Sequence, residues 1–303
     1  MNIELIRGII VPILTPVDKE ENIDEMRLRF MVDHVIEDGV HGILAFGSNG
    51  EFYMFEDGEM QRALEIILDQ TAGRVPVYFG IGAIRTKKAI RLAKMAESVG
   101  AFGVSILQPM FLKPTFEELY EHFKAVADAI PETPVLLYNN PGRVGYTMTA
   151  DLVEKLARSV PNIVGMKDSS GDFSLLSEYV RRTRDIGFRV LAGKDTLIYP
   201  GLCIGTVGSV CSTANMFGPL VTSIYNKFME GDFEGALEAQ FKLNPVRISQ
   251  DQASFPVATK DMANLMGLDV GEPVKPSMRS KGEVLELMRR KMTEANLFKL
   301  ESK

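Results

Sequence analysis

The stretch Val135–Lys167, VLLYNNPGRVGYTMTADLVEKLARSVPNIVGMK, decides the fold. It opens on a short apolar run, Val135–Tyr138, and a loop, Asn139-Asn140-Pro141-Gly142-Arg143, follows. Thr149–Ser159 then carries apolar residues at helical spacing, and Asn162–Lys167 is a second short apolar run that ends on a lysine. Strand, helix, strand in series is the unit from which parallel sheets with right-handed crossovers are built.

Working outward, the same alternation covers most of the chain. Upstream, Gly8–Thr15 (GIIVPILT) pairs with the helix Asp24–Val35, Gly42–Phe46 with Phe55–Thr71, Val75–Gly80 with Thr86–Val99, and Gly103–Leu107 with Thr115–Ala129. Downstream, the strand closed by Lys167 is followed by the helix Phe173–Thr183. Phe188–Ala192 with Thr196–Cys203, then Thr206–Cys211 with the helix after Pro219, complete the series. Eight evenly spaced units favour closure into a (β/α)₈ TIM barrel over an open doubly wound sheet. Residues 1–230 are therefore expected to form the barrel, and residues 231–303 a helical extension. Its helices are expected near Asp232–Leu243, Phe255–Met266 and Gly282–Ala295. With no strand between them they cannot lengthen the barrel, so they should pack against it or against a second subunit.

The 303 residues suffice for one such barrel plus extensions. Hydrophobic residues at 46% and charged residues at 24% are an ordinary globular balance. A net charge of −6 without any dense basic run argues against a nucleic-acid surface. Cys203 and Cys211 lack metal-site spacing, and His34, His41 and His122 are scattered, so neither a metal nor a disulfide framework is expected. Met1–Arg7 lacks the apolar core of a signal peptide, and no apolar run reaches the roughly 18 residues of a membrane span. The expectation is a cytoplasmic enzyme with neither membrane nor nucleic-acid partners.

Active sites of such barrels lie at the C-terminal ends of the strands. Polar residues stand there at Gly47-Ser48-Asn49-Gly50-Glu51, Tyr138, Lys167 and Gly193. Strict alternation puts Ile163, Gly165 and Lys167 on one face, with Gly165 leaving free volume beneath the lysine. An inward lysine is desolvated, and desolvation lowers its pKa from about 10.4 toward the range in which a neutral amine attacks a ketone. The plainer alternative is a lysine that snorkels to solvent or pairs with an acid. Tyr138, one strand over, is placed to meet that amine around a small substrate and to exchange protons with it; otherwise it merely packs the barrel mouth. The Ser48–Asn49 turn can aim backbone N–H groups at a carboxylate, or be an ordinary turn in which Glu51 has a supporting part. Arg143 can grip a second carboxylate or stand solvated in its loop. Cys211 reads as a packed small side chain, because no basic partner is apparent.

These pieces, in this order, resemble the dihydrodipicolinate synthase / N-acetylneuraminate lyase family over nearly the whole chain. The stretches that carry the resemblance are Gly47–Glu51, Tyr138-Asn139-Asn140-Pro141, Gly165–Ser169, Leu191-Ala192-Gly193, and Gly208-Ser209-Val210 through Ala214-Asn215. The resemblance implies that Lys167 forms an imine with pyruvate or a 2-oxo acid and that Tyr138 shuttles protons. It implies that Ser48 and Asn49 hold the pyruvate carboxylate, and that Gly193 and Val210 line the pocket. It further implies a homotetramer built from dimers. Arg143 matches the arginine that the synthases place near the second substrate's carboxylate. Phe111 stands where the family has a tyrosine that reaches across a subunit interface, and phenylalanine relays no proton. Ser-Asn rather than Thr-Thr in the turn also departs from the synthases. The stretches Gly47–Glu51, Asn162–Ser169 and Val190–Gly193 most resemble 4-hydroxy-2-oxoglutarate aldolases of the same family.

The expectation is thus a lyase of the class I aldolase type acting on a 4-hydroxy-2-oxoglutarate-like substrate. Dihydrodipicolinate synthase, N-acetylneuraminate lyase and 2-keto-3-deoxy sugar acid aldolase activities, or a dehydratase of the same family, are the alternatives. No metal or organic cofactor is called for, since the lysine does the electronic work. Two readings from other classes compete. A phosphate-binding barrel would need a glycine-rich site after strands seven and eight, of which Ala192-Gly193-Lys194 is a poor version. A sensor would bind a 2-oxo acid without turning it over.

Overall fold

The structure, a computed structural model, describes residues 2–298. Eight strands run parallel and close into a barrel: β1 (Gly8–Pro12), β2 (Gly42–Ala45), β3 (Val77–Ile81), β4 (Gly103–Leu107), β5 (Val135–Asn139), β6 (Ile163–Asp168), β7 (Arg189–Ala192) and β8 (Gly208–Val210), with β8 hydrogen-bonded back to β1. They are short and apolar because a barrel strand is covered on both faces, by the interior on one and by helices on the other. Among the described residues the twelve α-helices are, in chain order, α1 (Glu25–Glu37), α2 (Asp57–Thr71), α3 (Thr86–Ser98), α4 (Phe116–Asp128), α5 (Pro141–Val144), α6 (Ala150–Ser159), α7 (Phe173–Thr183), α8 (Ile198–Cys203), α9 (Gly218–Met229), α10 (Phe233–Ser249), α11 (Val257–Leu265) and α12 (Glu283–Glu294). Several start where a side chain accepts an otherwise unpaired N–H: Asp24 from Arg27, Thr115 from Glu118, Thr149 from Leu152, and Asp172 from Leu175.

The barrel interior is a separate apolar cluster of Ile6, Ile10, Leu44, Tyr78, Leu136, Leu191 and Val210. The larger cluster lies between the sheet and its helices and takes in Ile9, Val11, Ile43, Phe79, Val104, Leu137 and Met166. Period-two alternation sorts residues between the two clusters on most strands. On β6 it fails at the start. The β5–β6 register shifts between Val135 and Leu136, so Ile163 packs in the outer cluster and Val164 against the inner one. After that irregularity Gly165 and Lys167 face inward together. There is no free volume at Gly165, however: a Cβ there would meet the Arg189 carbonyl oxygen at 2.5 Å and Leu136 Cδ2 at 2.8 Å. The glycine lets β6 lie close against β7 rather than making room for the lysine.

The element order matches the sequence expectation, with two differences that matter. The loop after β5 contains a helical turn, α5, with Pro141 at its start and Arg143 within it. The first tail helix runs on to Ser249, past Leu243, and accommodates Pro245 within it. The tail packs on the barrel: α10 against α8 and α9, α12 against α10 and α11, and α11 against the turn Ser212–Asn215 after β8. No helix among the described residues is long and apolar enough to cross a membrane.

Candidate active site

Lys167 and Tyr138 are register partners on neighbouring strands, one residue from the C-terminal ends of β6 and β5. Both are buried, at 5% and 6% exposure. The Lys167 Nζ lies 4.2 Å from the centre of the Tyr138 ring. Asn140 Nδ2 donates to the phenol oxygen at 2.8 Å. Burial pushes the phenol's pKa up, but the Lys167 charge and hydrogen bonding with Ser48, Ser169 and Asn140 outweigh it, and the net direction is down. The phenol thereby gives up its proton more readily than a free tyrosine would.

Ser48 and Asn49 open a 3₁₀ turn, Ser48–Gly50, directly after β2, and both are buried. The turn is closed by Gly50 N–H to the Gly47 carbonyl at 2.9 Å and Glu51 N–H to the Ser48 carbonyl at 3.3 Å. The N–H groups of Ser48 and Asn49 themselves meet no backbone acceptor among the described residues. Two adjacent donors at the mouth of a cationic pocket are what a carboxylate requires.

Gly193, past the end of β7, donates its N–H to the Asp168 carbonyl at 2.7 Å, and its own carbonyl accepts from Ser169 Oγ at 3.2 Å. A Cβ at 193 would come within 2.2 Å of Ser169 Oγ and 2.8 Å of the Asp168 carbonyl oxygen, so glycine permits the close approach that shapes this side of the pocket. Val210 closes the floor as a buried apolar side chain on β8. Arg143 is exposed, with its guanidinium carbon 4.8 Å over the Phe255 ring.

All seven residues singled out in the sequence line one pocket of about 360 Å³: Ser48, Asn49, Tyr138, Arg143, Lys167, Gly193 and Val210. Sequence reasoning missed the rest of its wall. Asn140 and Ser169 stand in the sequence only as parts of the motifs, yet both line the pocket and Asn140 reaches the phenol oxygen. Lys194, Asp195 and Ser212 stand at the β7 and β8 ends. The Asp195 carboxylate accepts from Thr213 N at 2.8 Å, Thr213 Oγ1 at 2.6 Å and Ser212 Oγ at 3.2 Å. Arg247, Phe255 and Thr259 come from the tail. Arg247 is ion-paired with Asp251 at 2.8 Å. The one signal that could have pointed to this wall is a lysine and an aspartate, Lys260 and Asp261, inside the otherwise apolar run around α11. Cys211 is fully buried just past β8, with its thiol pushed up by burial, as befits a packed side chain.

The arrangement brings an amine, a phenol of depressed pKa, unpaired backbone donors and further cations around one small volume. It suits addition to a ketone that carries a carboxylate. Comparison with known proteins points the same way. The sequence model of the dihydrodipicolinate synthetase family matches residues 5–295. A 4-hydroxy-tetrahydrodipicolinate synthase of Thermus thermophilus is 38% identical over 94% of this chain and 95% of its own, and one of Methanopyrus kandleri is 34% identical over 97% of each. Among solved structures, a prophage protein of the dihydrodipicolinic acid synthase family from E. coli K12, in complex with pyruvate, is similar with a TM-score of 0.92 at 26% identity, over 96% of this chain and 99% of that one.

Proposed function

Because the chain belongs to the dihydrodipicolinate synthetase family, a family of pyruvate-dependent Schiff-base lyases, we propose that it holds a 2-oxo acid as an imine on Lys167 and cleaves or forms the bond between C3 and C4. The observation that carries the reading is the buried Lys167 amine 4.2 Å from the Tyr138 ring, facing a turn with two unpaired N–H groups.

The proposed steps are these. The unprotonated Lys167 amine attacks the C2 ketone while the Ser48–Asn49 turn holds the C1 carboxylate. Tyr138, with Asn140 at its oxygen, moves protons as the carbinolamine loses water. The iminium then draws electrons from C3. In the cleavage direction Tyr138 removes the C4 hydroxyl proton, the C3–C4 bond breaks, and its electron pair enters the iminium to give an enamine. The aldehyde leaves. Protonation of C3 and hydrolysis release pyruvate and restore the amine. Arg143 stands at the open side, where a second carboxylate on the aldehyde would sit.

A 4-hydroxy-2-oxoglutarate-like substrate fits this set, since Arg143 offers a partner for its far carboxylate and Phe111 offers no hydroxyl for a second tyrosine's relay. A 4-hydroxy-tetrahydrodipicolinate synthase, condensing pyruvate with aspartate semialdehyde, is the second reading. The names of the relatives and Arg143 support it equally. The same proposal includes a homotetramer built from dimers. Its support is the apolar side chains left in water beside the β4–α4 loop: Phe111 at 97% exposure, with Leu112, Tyr53 and Ile84 exposed as well.

Borohydride reduction with pyruvate, followed by mass spectrometry, should place a pyruvate adduct on Lys167. Folded protein that takes no adduct would exclude the mechanism. A panel of 2-oxo acids assayed for pyruvate release, run beside pyruvate with aspartate semialdehyde, separates the two readings. Release of pyruvate from 4-hydroxy-2-oxoglutarate also excludes a silent sensor.

A further inference from the structure

The turn that faces the amine is held from behind by a helix of the C-terminal extension. Glu51, the last residue of the Gly47–Glu51 motif, adopts φ 54° and ψ 39°, left-handed backbone that a residue with a Cβ rarely takes unless its surroundings hold it there. Its carboxylate is fully buried and lies 2.6 Å from the equally buried ammonium of Lys260 in α11. The other carboxylate oxygen accepts the Val274 N–H at 3.0 Å, and Lys260 Nζ donates to the Glu272 carbonyl at 3.0 Å. One residue earlier on α11, Thr259 Oγ1 donates to Asn49 Oδ1 at 3.1 Å. On the barrel side, Thr15 Oγ1 donates to the Gly50 carbonyl at 2.9 Å. The turn is therefore gripped at Asn49 and Glu51 by two consecutive residues of one tail helix, some two hundred positions away in sequence.

A buried ion pair is a poor way to gain stability, because removing two charges from water offsets most of their attraction. What such a pair does well is hold groups in one arrangement. Resting on the imine reading above, we propose that Lys260 and Thr259 are positioning residues: through Glu51 and Asn49 they hold the Ser48–Asn49 turn where its N–H groups meet the substrate's C1 carboxylate. Lys260 lies behind the pocket wall against Glu51, and Thr259 reaches that wall through Asn49. The tail is then part of the site, and the selectivity for an acid over a plain ketone is set partly by residues outside the barrel.

The experiment uses the full chain and two trapping probes, pyruvate and acetone, which differ in the carboxylate. Adducts on Lys167 are quantified by mass spectrometry after borohydride reduction across ketone concentration. Thermal melting and circular dichroism report the fold. In Glu51→Gln/Lys260→Met, which removes both charges together, the half-saturating pyruvate concentration should rise about tenfold or more, because small misplacements of binding groups are costly. Acetone trapping should stay at the wild-type level. Thr259→Val, which deletes a single hydroxyl, should shift pyruvate in the same direction by less. A folded double variant with wild-type pyruvate saturation overturns the proposal, and so does a parallel loss of pyruvate and acetone trapping. Should the double variant not fold, Thr259→Val decides, and unchanged pyruvate saturation in it overturns the proposal as well. A wild-type protein that traps neither ketone instead overturns the imine reading, and this inference with it.

Discussion

Tyr138 shows how opposing effects are weighed at a single residue. Burial alone sends a tyrosine of this protein upward, as at Tyr146, pushed up to about 12. Tyr138 is as deeply enclosed, yet the neighbouring ammonium and three hydrogen-bonding side chains turn its direction downward. The sign can be tested by difference ultraviolet titration, wild type minus Tyr138→Phe, which should isolate one phenol ionising below the ordinary value near 10. Lys167→Met removes the largest stabiliser of the phenolate and leaves burial in place, so the same phenol should then titrate above 10. A phenol that does not move between those two backgrounds would sever the amine from the tyrosine. For turnover, Tyr138→Phe should lower kcat by on the order of 10²–10⁴ with KM far less affected, the range for loss of a general acid–base.

At the scale of elements, the site depends on how closely β6 and β7 approach. Gly165 and Gly193 both sit where a Cβ would strike backbone of the neighbouring segment. Gly193→Ala must displace the Asp168 carbonyl, which directly follows Lys167, or lose the hydrogen bond from Ser169. Overpacking of this kind typically costs about 1–3 kcal/mol. Chemical denaturation should show a loss in that range, and imine trapping should weaken at the same time. Full stability with full trapping would mean the two strands have slack that the structure does not show. Element boundaries were mostly legible from periodicity, because a parallel strand needs a short apolar run and a helix needs its stripe. The β6 irregularity was not legible. Asn-Ile-Val-Gly-Met-Lys carries no local mark of a register shift, which arises from the way Val135 and Leu136 pair across the sheet.

For the whole molecule, the division proposed at residue 230 separates barrel topology from added helices, yet α11 crosses it to reach the site. Self-association is the other matter of this scale. A nearly fully exposed Phe111, with left-handed backbone at φ 74°, presents a large apolar side chain to water on a patch shared with Leu112. Under the tetramer proposal, sedimentation at micromolar concentration should give a tetramer, and Phe111→Asp a smaller species, since a charge buried without a partner opposes the interface. A wild-type monomer under those conditions would remove the proposal.

By itself the sequence determined the eight-fold alternation, the closed barrel, and the seven residues of one pocket, because barrel strands announce their C-terminal ends and the motifs found there resemble those of a known family. Only the tertiary structure decided that Gly165 serves strand contact rather than empty space, that Asn140 donates to the phenol oxygen, and that Thr259 and Lys260 grip the turn at Asn49 and Glu51. The reason is physical. Periodicity records which face of an element is buried, whereas a contact between segments two hundred residues apart exists only once the chain has closed.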